Sequence, residues 1–428
     1  MNTRVVVTGI GAIAPNGTGK TDFWNAIKSG KSGIGKITRF NVSNYPVKIA
    51  GEVKDFNPLL YMEKKESKLL SRFAQFSLSA TKMAIEDSRL KLESENPLRI
   101  GVIIGTSTGG QNIHEQQLEH FYKKGIKSIS PFSPISINYN LSVGIIMSLY
   151  KIKGYNLTVT TGCSAGLNAI GCAYDAILAD KADIIIAGSS DAPILPFTFD
   201  AFCNARILTK GNGCPEKASK PFDRYRDGYV LAEGAGIVIL EKYEHAINRN
   251  AHVYGEVMGY NNTNDGYSVL GMDPGGDEVV RLFKDMLYKS GIDSVDYICA
   301  HGSSSIISDR RETRAIKEAF NGKSYNIPIS SIKSMIGQPL SAAGSLQFIT
   351  ALMAMGDNYL PPTINYEVED PECDLDYVPN KGRYKIIDTA LVSSFGMGGN
   401  NVSVLLKKNS NNVNPGFKIQ NLDAGKNN

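Results

Sequence analysis

Short runs of β-branched and other apolar residues, each bounded by Gly or Asp, recur along the chain and constrain its fold more than any other feature. Runs of this length and composition are typical of buried strands. They are residues 4–8, 100–104, 157–160, 183–187, 236–240, 297–299, 390–393 and 402–406. Stretches with helical spacing lie between several of them, at residues 71–87, 166–179, 277–290, 309–320 and 342–355. This alternation predicts an α/β protein in which helices sandwich the sheets.

A weak internal repeat is visible among these runs. The pair at residues 183–188 and 236–241 resembles the pair at residues 390–395 and 401–406. We therefore expect two related halves, residues 1–250 and 251–408. The tail, residues 409–428, is rich in Asn and lacks apolar periodicity, so the sequence predicts that it is disordered.

Composition excludes several classes of protein. The 428 residues are 42% hydrophobic and 21% charged, as in an ordinary soluble globular protein. The net charge of +4 is spread along the chain, so neither nucleic acid nor a membrane surface is an expected partner. No apolar stretch approaches the roughly 20 residues that span a bilayer. The six cysteines are widely spaced without a CxxC, which predicts no disulfide framework, no metal site and a reducing cytoplasm.

The stretch Thr-Thr-Gly-Cys-Ser-Ala-Gly at residues 160–166 joins a predicted strand to a predicted helix through small side chains. A thiolate at Cys163 would lie at the positive end of the helix dipole, which favours the reactive ionised form. Small neighbours leave room for a thioester. Free cysteines are usually buried in the core, and we interpret the other five cysteines as core residues of this kind.

Three further motifs offer partners for this thiol. His301 lies in the polar segment Ala-His-Gly-Ser-Ser-Ser that follows a predicted strand. Lys333 and Gln338 lie five residues apart and offer an amine and an amide. The segment at residues 394–401, Ser-Phe-Gly-Met-Gly-Gly-Asn-Asn, predicts a glycine-rich turn whose amides can face an oxyanion.

In these motifs the chain resembles the type II β-ketoacyl-[acyl carrier protein] synthases, the condensing enzymes of fatty acid and polyketide synthesis in the thiolase superfamily. The likeness runs from Arg4 to about Lys408 and also covers residues 7–11, 105–110, 220–228, 232–236 and 361–365. It implies the thiolase-like duplicated fold in five layers, αβαβα. It also implies a homodimer, or a heterodimer with a sister subunit, and an acyl carrier protein as partner. Phosphopantetheine would arrive on that carrier, and no other cofactor is expected.

The resemblance also implies roles for individual residues. Cys163 would be the nucleophile, and its amide would share an oxyanion with the amide of Met397. His301 would stabilise the enolate formed by decarboxylation, and Lys333, paired with Glu312, would order the site. The residues implied in substrate binding are Thr108, Phe202, Ser303, Ser305 and Phe395. Those implied in docking the acidic carrier are Lys65, Lys68 and Arg206, for which a merely solvated charged face is an equally good interpretation.

Two departures from the family pattern fall in the site. Gln338 stands where the resembled enzymes carry a second histidine, and Met397 where they carry a gating phenylalanine. Glutamine cannot act as a base, but its amide donates hydrogen bonds. The leading hypothesis is an elongating ketosynthase that performs decarboxylative Claisen condensation in a specialised pathway. The alternatives are an acyltransferase or cyclase without decarboxylation, and a subunit of a ketosynthase heterodimer; the acyl chain, starter group and pathway stay open.

Overall fold

The computed structural model describes residues 3–269 and 271–409, so the predicted tail lies, apart from Asn409, outside the described residues. Most strands cover the apolar runs of the sequence and continue beyond them. Those before residue 250 are β1 Val5–Ala14, β2 Gly17–Thr18, β3 Gly35–Lys36, β4 Ile49–Ala50, β5 Ile100–Gly105, β6 Asn156–Val159, β7 Ile184–Asp191 and β8 Gly234–Lys242. Those after it are β9 Gly255–Asn264, β10 Tyr297–Cys299, β11 Ile329–Ser330, β12 Tyr359–Leu360, β13 Arg383–Tyr384, β14 Thr389–Gly396 and β15 Asn400–Lys407.

Five of the helices follow the predicted helical stretches to within three residues at their ends, and the other helices have no counterpart among those stretches. The α-helices are α1 Lys20–Lys28, α2 Lys64–Leu69, α3 Arg72–Ser88, α4 Gln111–Lys124, α5 Ser133–Ser136, α6 Leu141–Leu149, α7 Ala165–Leu178, α8 Pro196–Asn204, α9 Tyr243–Asn248, α10 Asp277–Ser290, α11 Ile306–Phe320, α12 Lys333–Ile336 and α13 Ala342–Asp357. Short 3₁₀ turns cover Pro58–Leu60, Leu92–Ser94, Pro97–Arg99, Ile126–Ser128, Gly162–Ser164, Pro215–Lys217 and Asn321–Asn326.

The same strand order occurs twice. The first half has the order β6-β5-β7-β8-β1, and the second has β11-β10-β14-β15-β9. In each half the first three strands of this order are parallel and the last two are antiparallel to their neighbours. The two sheets join where β1 pairs with β9 over three residues each. This repeat confirms a duplicated fold, while the boundary at residue 250 stays a prediction.

The strands bury both faces, which explains their uniformly apolar sequences. In β7, Ile184 and Ile186 pack towards the outer helices α3 and α6, whereas Ile185 and Ala187 pack towards the centre. Helices α7 and α13 occupy that centre between the two sheets. Helices α10 and α11 cover the outer face of the second sheet. The predicted αβαβα layering is therefore confirmed.

Strand β9 has no counterpart among the predicted runs. Its sequence, Gly-Glu-Val-Met-Gly-Tyr-Asn-Asn-Thr-Asn, is too polar to resemble a buried strand, yet it pairs with both β1 and β15. Its Tyr260 ring lies flat against the helix α7. A Cβ on Gly171 of that helix would be 2.0–2.4 Å from three ring carbons, so only glycine allows this approach.

We expect Gly171→Ala to lower the free energy of unfolding by about 1–3 kcal/mol, because the added methyl overlaps the Tyr260 ring. Gly144→Ala is the matched control, since Gly144 is a helical glycine of α6 and a Cβ added there would have no heavy atom within 4 Å outside its own helix turn. That control should be neutral or slightly stabilising. Urea unfolding of the three proteins measures the difference, and equal midpoints would contradict the packing of α7 on β9.

Candidate active site

The predicted site residues lie where the carboxyl ends of strands from both halves meet. Cys163 lies in the 3₁₀ turn between β6 and α7, so the predicted nucleophile elbow is present. His301 comes two residues after β10, and Lys333 begins α12 just after β11. Met397 follows β14 directly. The carboxyl ends of parallel strands are where α/β folds place their binding sites.

The glycine-rich turn predicted over residues 394–401 is shorter in the structure than the sequence predicts. Its first three residues belong to β14 and its last two to β15, which leaves Met397 to Gly399 as the turn. Gly396 packs on the elbow, since a Cβ there would be 2.8 Å from the Thr161 carbonyl oxygen and 3.3 Å from the Cys163 nitrogen. The Ser394 hydroxyl donates to the Cys163 carbonyl oxygen at 3.2 Å. The turn therefore lies against the segment that carries Cys163.

Cys163 is buried, and this burial is the main influence on the pKa of its thiol. Desolvation is the main cause that raises the pKa of Cys163 to about 11, and the carboxylate of Asp191 adds to it. The ammonium of Lys333 and a hydrogen bond from the Gln338 amide act in the opposite direction but are smaller. Burial therefore favours the neutral thiol in the resting protein, in contrast to the ionised form that the sequence favours.

His301 is neutral, and its tautomer follows from its contacts. The backbone N–H of Phe395 donates to Nδ1 at 3.2 Å, so the ring proton is on Nε2. Burial lowers the pKa of His301 well below its usual value, and the charges of Lys333 and Arg311 lower it further. The ring therefore offers an N–H without becoming cationic.

The ion pair expected between Lys333 and Glu312 does not form in the part of the chain that the structure describes. The Lys333 ammonium donates instead to the carbonyl oxygen of His301 and to Gln347 Oε1. Glu312 accepts from the His301 amide at 2.8 Å and from the Ser393 hydroxyl at 2.6 Å. Burial lowers the pKa of Lys333 to about 8, against the opposing charge of Glu312. Both groups hold the His301 segment, each through its own hydrogen bonds.

Gln338 lies near Cys163, as expected of a residue in the place of the second histidine. The residue is 2% exposed, and its side chain acts to lower the pKa of the Cys163 thiol, against the larger effect of burial. Its backbone is held by Val230 and Ala232, which accept from and donate to it at 2.7 and 3.0 Å. The side-chain oxygen Oε1 has no hydrogen-bond partner among the described residues.

Known proteins share this architecture and these motifs. The family described as "Beta-ketoacyl synthase, N-terminal domain" matches residues 2–246, and "Beta-ketoacyl synthase, C-terminal domain" matches residues 254–367. The chain belongs to the β-ketoacyl synthase family. A 3-oxoacyl-[acyl-carrier-protein] synthase 2 from Synechocystis sp. is 42% identical over 95% of this chain and 98% of its own length.

Two solved ketosynthases superpose on this β-ketoacyl synthase with a TM-score of 0.89. One is a ketosynthase bound to a hexaketide in complex with its type II polyketide acyl-carrier protein, 34% identical over 96% of this chain and 100% of that chain. The other is the ishigamide ketosynthase/chain length factor, 29% identical over the same shares. The thiolase-like fold predicted from the motifs is thereby confirmed.

The sequence did not single out Asp191, which organises the wall of the site in this β-ketoacyl synthase. Its buried carboxylate accepts from the Thr106 hydroxyl at 2.9 Å, from the Thr108 amide at 2.9 Å and from the Ser341 amide at 2.9 Å. It thus joins the end of β5 to the start of α13. The sequence did contain one signal for Asp191: it is an acidic residue shortly after the apolar run at residues 183–187, at the carboxyl end of the strand β7. Gln347, which accepts from the Lys333 ammonium, was missed because no motif around it suggests chemistry.

The residues implied in substrate binding occupy different environments. The Thr108 hydroxyl donates to Asp191 at 2.8 Å, so Thr108 supports the wall of the site. Phe202 packs against the apolar cluster that contains Cys163. The Ser303 amide donates to Asp309 at 2.9 Å, and Ser305 immediately precedes α11. Phe395 is buried, with its ring centroid 5.2 Å from that of His301. Substrate contact by these residues stays a prediction.

The surface residues implied in docking are exposed. Lys65 and Lys68 lie on α2, and Arg206 follows α8 with a left-handed φ of 58°. Met397 is 49% exposed, consistent with a position at the rim of the site. Within residues 3–269 and 271–409, no helix is long and apolar enough to cross a membrane, and no cluster of His, Cys, Asp and Glu has metal-binding geometry.

The raised pKa of Cys163 predicts a steep pH dependence of its alkylation. Because only the thiolate reacts, the rate with iodoacetamide should rise about tenfold per pH unit from about pH 7 to 10. Peptide mass mapping measures alkylation of Cys163 separately from that of the exposed Cys214. The Cys163→Ala protein serves as the control, because the alkylated Cys163 peptide is missing from its map. A rate that is flat above pH 7 would show that the thiolate already forms at neutral pH.

Proposed function

We propose that this β-ketoacyl synthase joins an acyl group on Cys163 to a malonyl unit by decarboxylative Claisen condensation. Both substrates would arrive as phosphopantetheine thioesters on an acyl carrier protein. The observation that carries this proposal is a buried thiol in a site that also holds a neutral imidazole: His301 has its proton on Nε2, and the buried Gln338 side chain acts to lower the pKa of Cys163. Neutral donors stabilise a developing oxyanion without protonating it.

In the first step, the sulfur of Cys163 attacks the carbonyl carbon of the acyl thioester. The oxyanion that forms is stabilised by the amides of Cys163 and Met397, which the contact of Gly396 with the elbow holds close together. The carrier thiol leaves, the acyl group stays on Cys163, and the thiol proton passes to the departing sulfur. Because Cys163 is buried, the low local dielectric strengthens the donation by its own amide.

In the second step, the bond between the malonyl carboxylate and its α-carbon breaks, and carbon dioxide leaves. The electron pair moves to the thioester oxygen as an enolate, which accepts from His301 Nε2–H and the Gln338 amide. The enolate carbon then attacks the acyl carbonyl, and Cys163 leaves as a thiolate. Because burial raises the pKa of Cys163 to about 11, the released thiolate takes up a proton and the resting thiol returns.

Lys333 and Glu312 act as positioning residues in this scheme. Each one holds the backbone of His301, one at the carbonyl oxygen and the other at the amide. The acyltransferase or cyclase alternative is not favoured, because both donors required for the enolate are present. The subunit alternative is weakened by the intact nucleophile Cys163.

Partners and location extend the same proposal. The ketosynthase complexed with an acyl-carrier protein and the ketosynthase/chain length factor support a carrier partner and a dimer for this chain. The dimer would be formed with a second copy or with a sister subunit. The exposed Lys65, Lys68 and Arg206 would receive the acidic carrier. Phosphopantetheine on the carrier would be the only prosthetic group, and the cytoplasm is the proposed location.

We expect Cys163→Ala to abolish covalent acylation while the fold persists, since only the sulfur is lost. Cys172→Ala is the matched control: Cys172 lies nine residues further along, on α7, where it packs against the central core cluster, so acylation should stay intact. Intact mass after incubation with acyl-carrier protein measures both. An acyl adduct on the Cys163→Ala protein would place the nucleophile elsewhere.

Gln338→Ala should leave self-acylation of Cys163 nearly intact but slow carbon dioxide release from malonyl-carrier protein by about 10²-fold or more, the usual cost of one oxyanion donor. Gln338→His should retain most of the activity, because the ring also presents an N–H. Release of labelled carbon dioxide is the measurement. Equal rates for alanine and glutamine would leave His301 as the sole donor, and a wild type that releases none would support the acyltransferase.

A further inference from the structure

Arg311 is a buried cation next to the site that the proposed reaction does not use. It lies on α11, and its side chain is 1% exposed. Its nitrogen Nη2 donates to Asp265 Oδ1 at 2.8 Å and to Asn401 Oδ1 at 2.6 Å. The other two nitrogens, Nε and Nη1, have no hydrogen-bond partner among the described residues. The hydrogen bonds of this guanidinium are therefore concentrated on Asp265 and Asn401.

Burial of an arginine in this way is unfavourable for stability. Unpaired N–H groups lose their hydration without compensation, and a buried ion pair is often no more stabilising than apolar residues of the same volume. Natural proteins depart from good packing and pairing mainly where function requires it. Stability therefore does not explain Arg311, and its two partners indicate another role.

Both partners of Arg311 hold the turn that carries Met397. Asp265 follows β9 directly, and its backbone N–H donates to the Gly399 carbonyl oxygen at 2.9 Å. Asn401 lies in β15 just after the turn, and its side-chain amide donates to the Asp265 carboxylate at 2.7 Å. The guanidinium thus joins the two segments that hold the turn.

The same turn lies against the segment of the nucleophile. Phe395 comes shortly before the turn, and the guanidinium carbon of Arg311 lies 5.4 Å from the centroid of its ring. At Gly162, the residue before Cys163, a Cβ would be 3.8 Å from the backbone nitrogen of Met397. In the proposed acylation step this nitrogen donates to the oxyanion. Such a donor acts only at hydrogen-bond distance, and a misplacement of about 1 Å can cost about 10²-fold in rate.

We propose that Arg311 is a positioning residue for the acylation of Cys163. It fixes Asp265 and Asn401, and through them it holds the Met397 amide where the oxyanion forms. This inference rests on the proposed function and adds to it a residue that does not touch the substrate. Loss of Arg311 should lower the maximal rate of acylation. The carrier concentration at half-saturation should not change, because Arg311 is buried and the carrier docks on the surface.

The test measures acylation of Cys163 by intact mass over a range of concentrations of acetyl-, hexanoyl- and decanoyl-carrier protein. Arg311→Met alone would leave the buried carboxylate of Asp265 without its cation, which destabilises the fold. The double variant Arg311→Met/Asp265→Asn removes both charges, and the amide that replaces the carboxylate still accepts from Asn401. We expect its maximal rate to be at least about tenfold below that of the wild type, with half-saturation within about twofold.

Arg311→Lys is the conservative variant. Both hydrogen bonds of Arg311 come from one nitrogen, so a lysine ammonium, which has three donors, can replace it. Its maximal rate should exceed that of the double variant by at least about threefold. Arg310→Met is the matched control and should load at the wild-type rate, since Arg310 precedes Arg311 on α11 but pairs with Glu372 at the surface. Urea unfolding shows that each protein compared is folded.

A double variant that is acylated at the wild-type maximal rate overturns the inference, because Arg311 would then only neutralise Asp265. Equal maximal rates for the double variant and Arg311→Lys overturn it as well, since a cation at this position would have no effect on the turn. A wild type that none of the three carrier proteins acylates overturns the proposed function and this inference with it. That result is distinct, because it is seen before any variant is compared.

Discussion

The close packing of α7 between the two sheets is the constraint on which the site depends. The helix begins at the nucleophile turn, and its glycines leave no space: a Cβ on Gly166 would lie 2.3 Å from the carbonyl oxygen of Ser341. At Gly344 of α13 a Cβ would lie 2.9 Å from the nitrogen of Leu167. This approach of two central helices brings Cys163 from one half against the residues of the other half.

Burial sets the chemical character of the groups that the packing assembles. It raises the pKa of Cys163, and it lowers those of His301 and Lys333. Each shift has desolvation as its largest cause, ahead of any neighbouring charge. The resting site therefore holds a neutral thiol and a neutral imidazole. In the proposed reaction, the thiol loses its proton as the carrier sulfur leaves. Such a site protects the thiol from side reactions, since the thiolate fraction at neutral pH is small.

The departure at residue 338 changes one hydrogen-bonding property while it preserves another. A neutral histidine and a glutamine both carry an N–H donor, so the donor function implied at this position survives. Glutamine also brings a side-chain carbonyl oxygen, which histidine lacks. This oxygen of Gln338 has no hydrogen-bond partner among the described residues. The backbone of Gln338 is held on both sides, since its N–H donates to Val230 and its carbonyl oxygen accepts from Ala232.

The sequence by itself determined the α/β class, the repeated halves and the elbow at Cys163, because buried strands and a strand-turn-helix of small residues leave local patterns. It also located His301, Lys333 and Gln338 through motifs. Only the tertiary structure decided that β9 is a strand, since pairing on both edges overrides its polar sequence. The same holds for the separate partners of Lys333 and Glu312 and for the protonation of Cys163. Those properties depend on burial and on contacts between residues far apart in the chain, which no local pattern records.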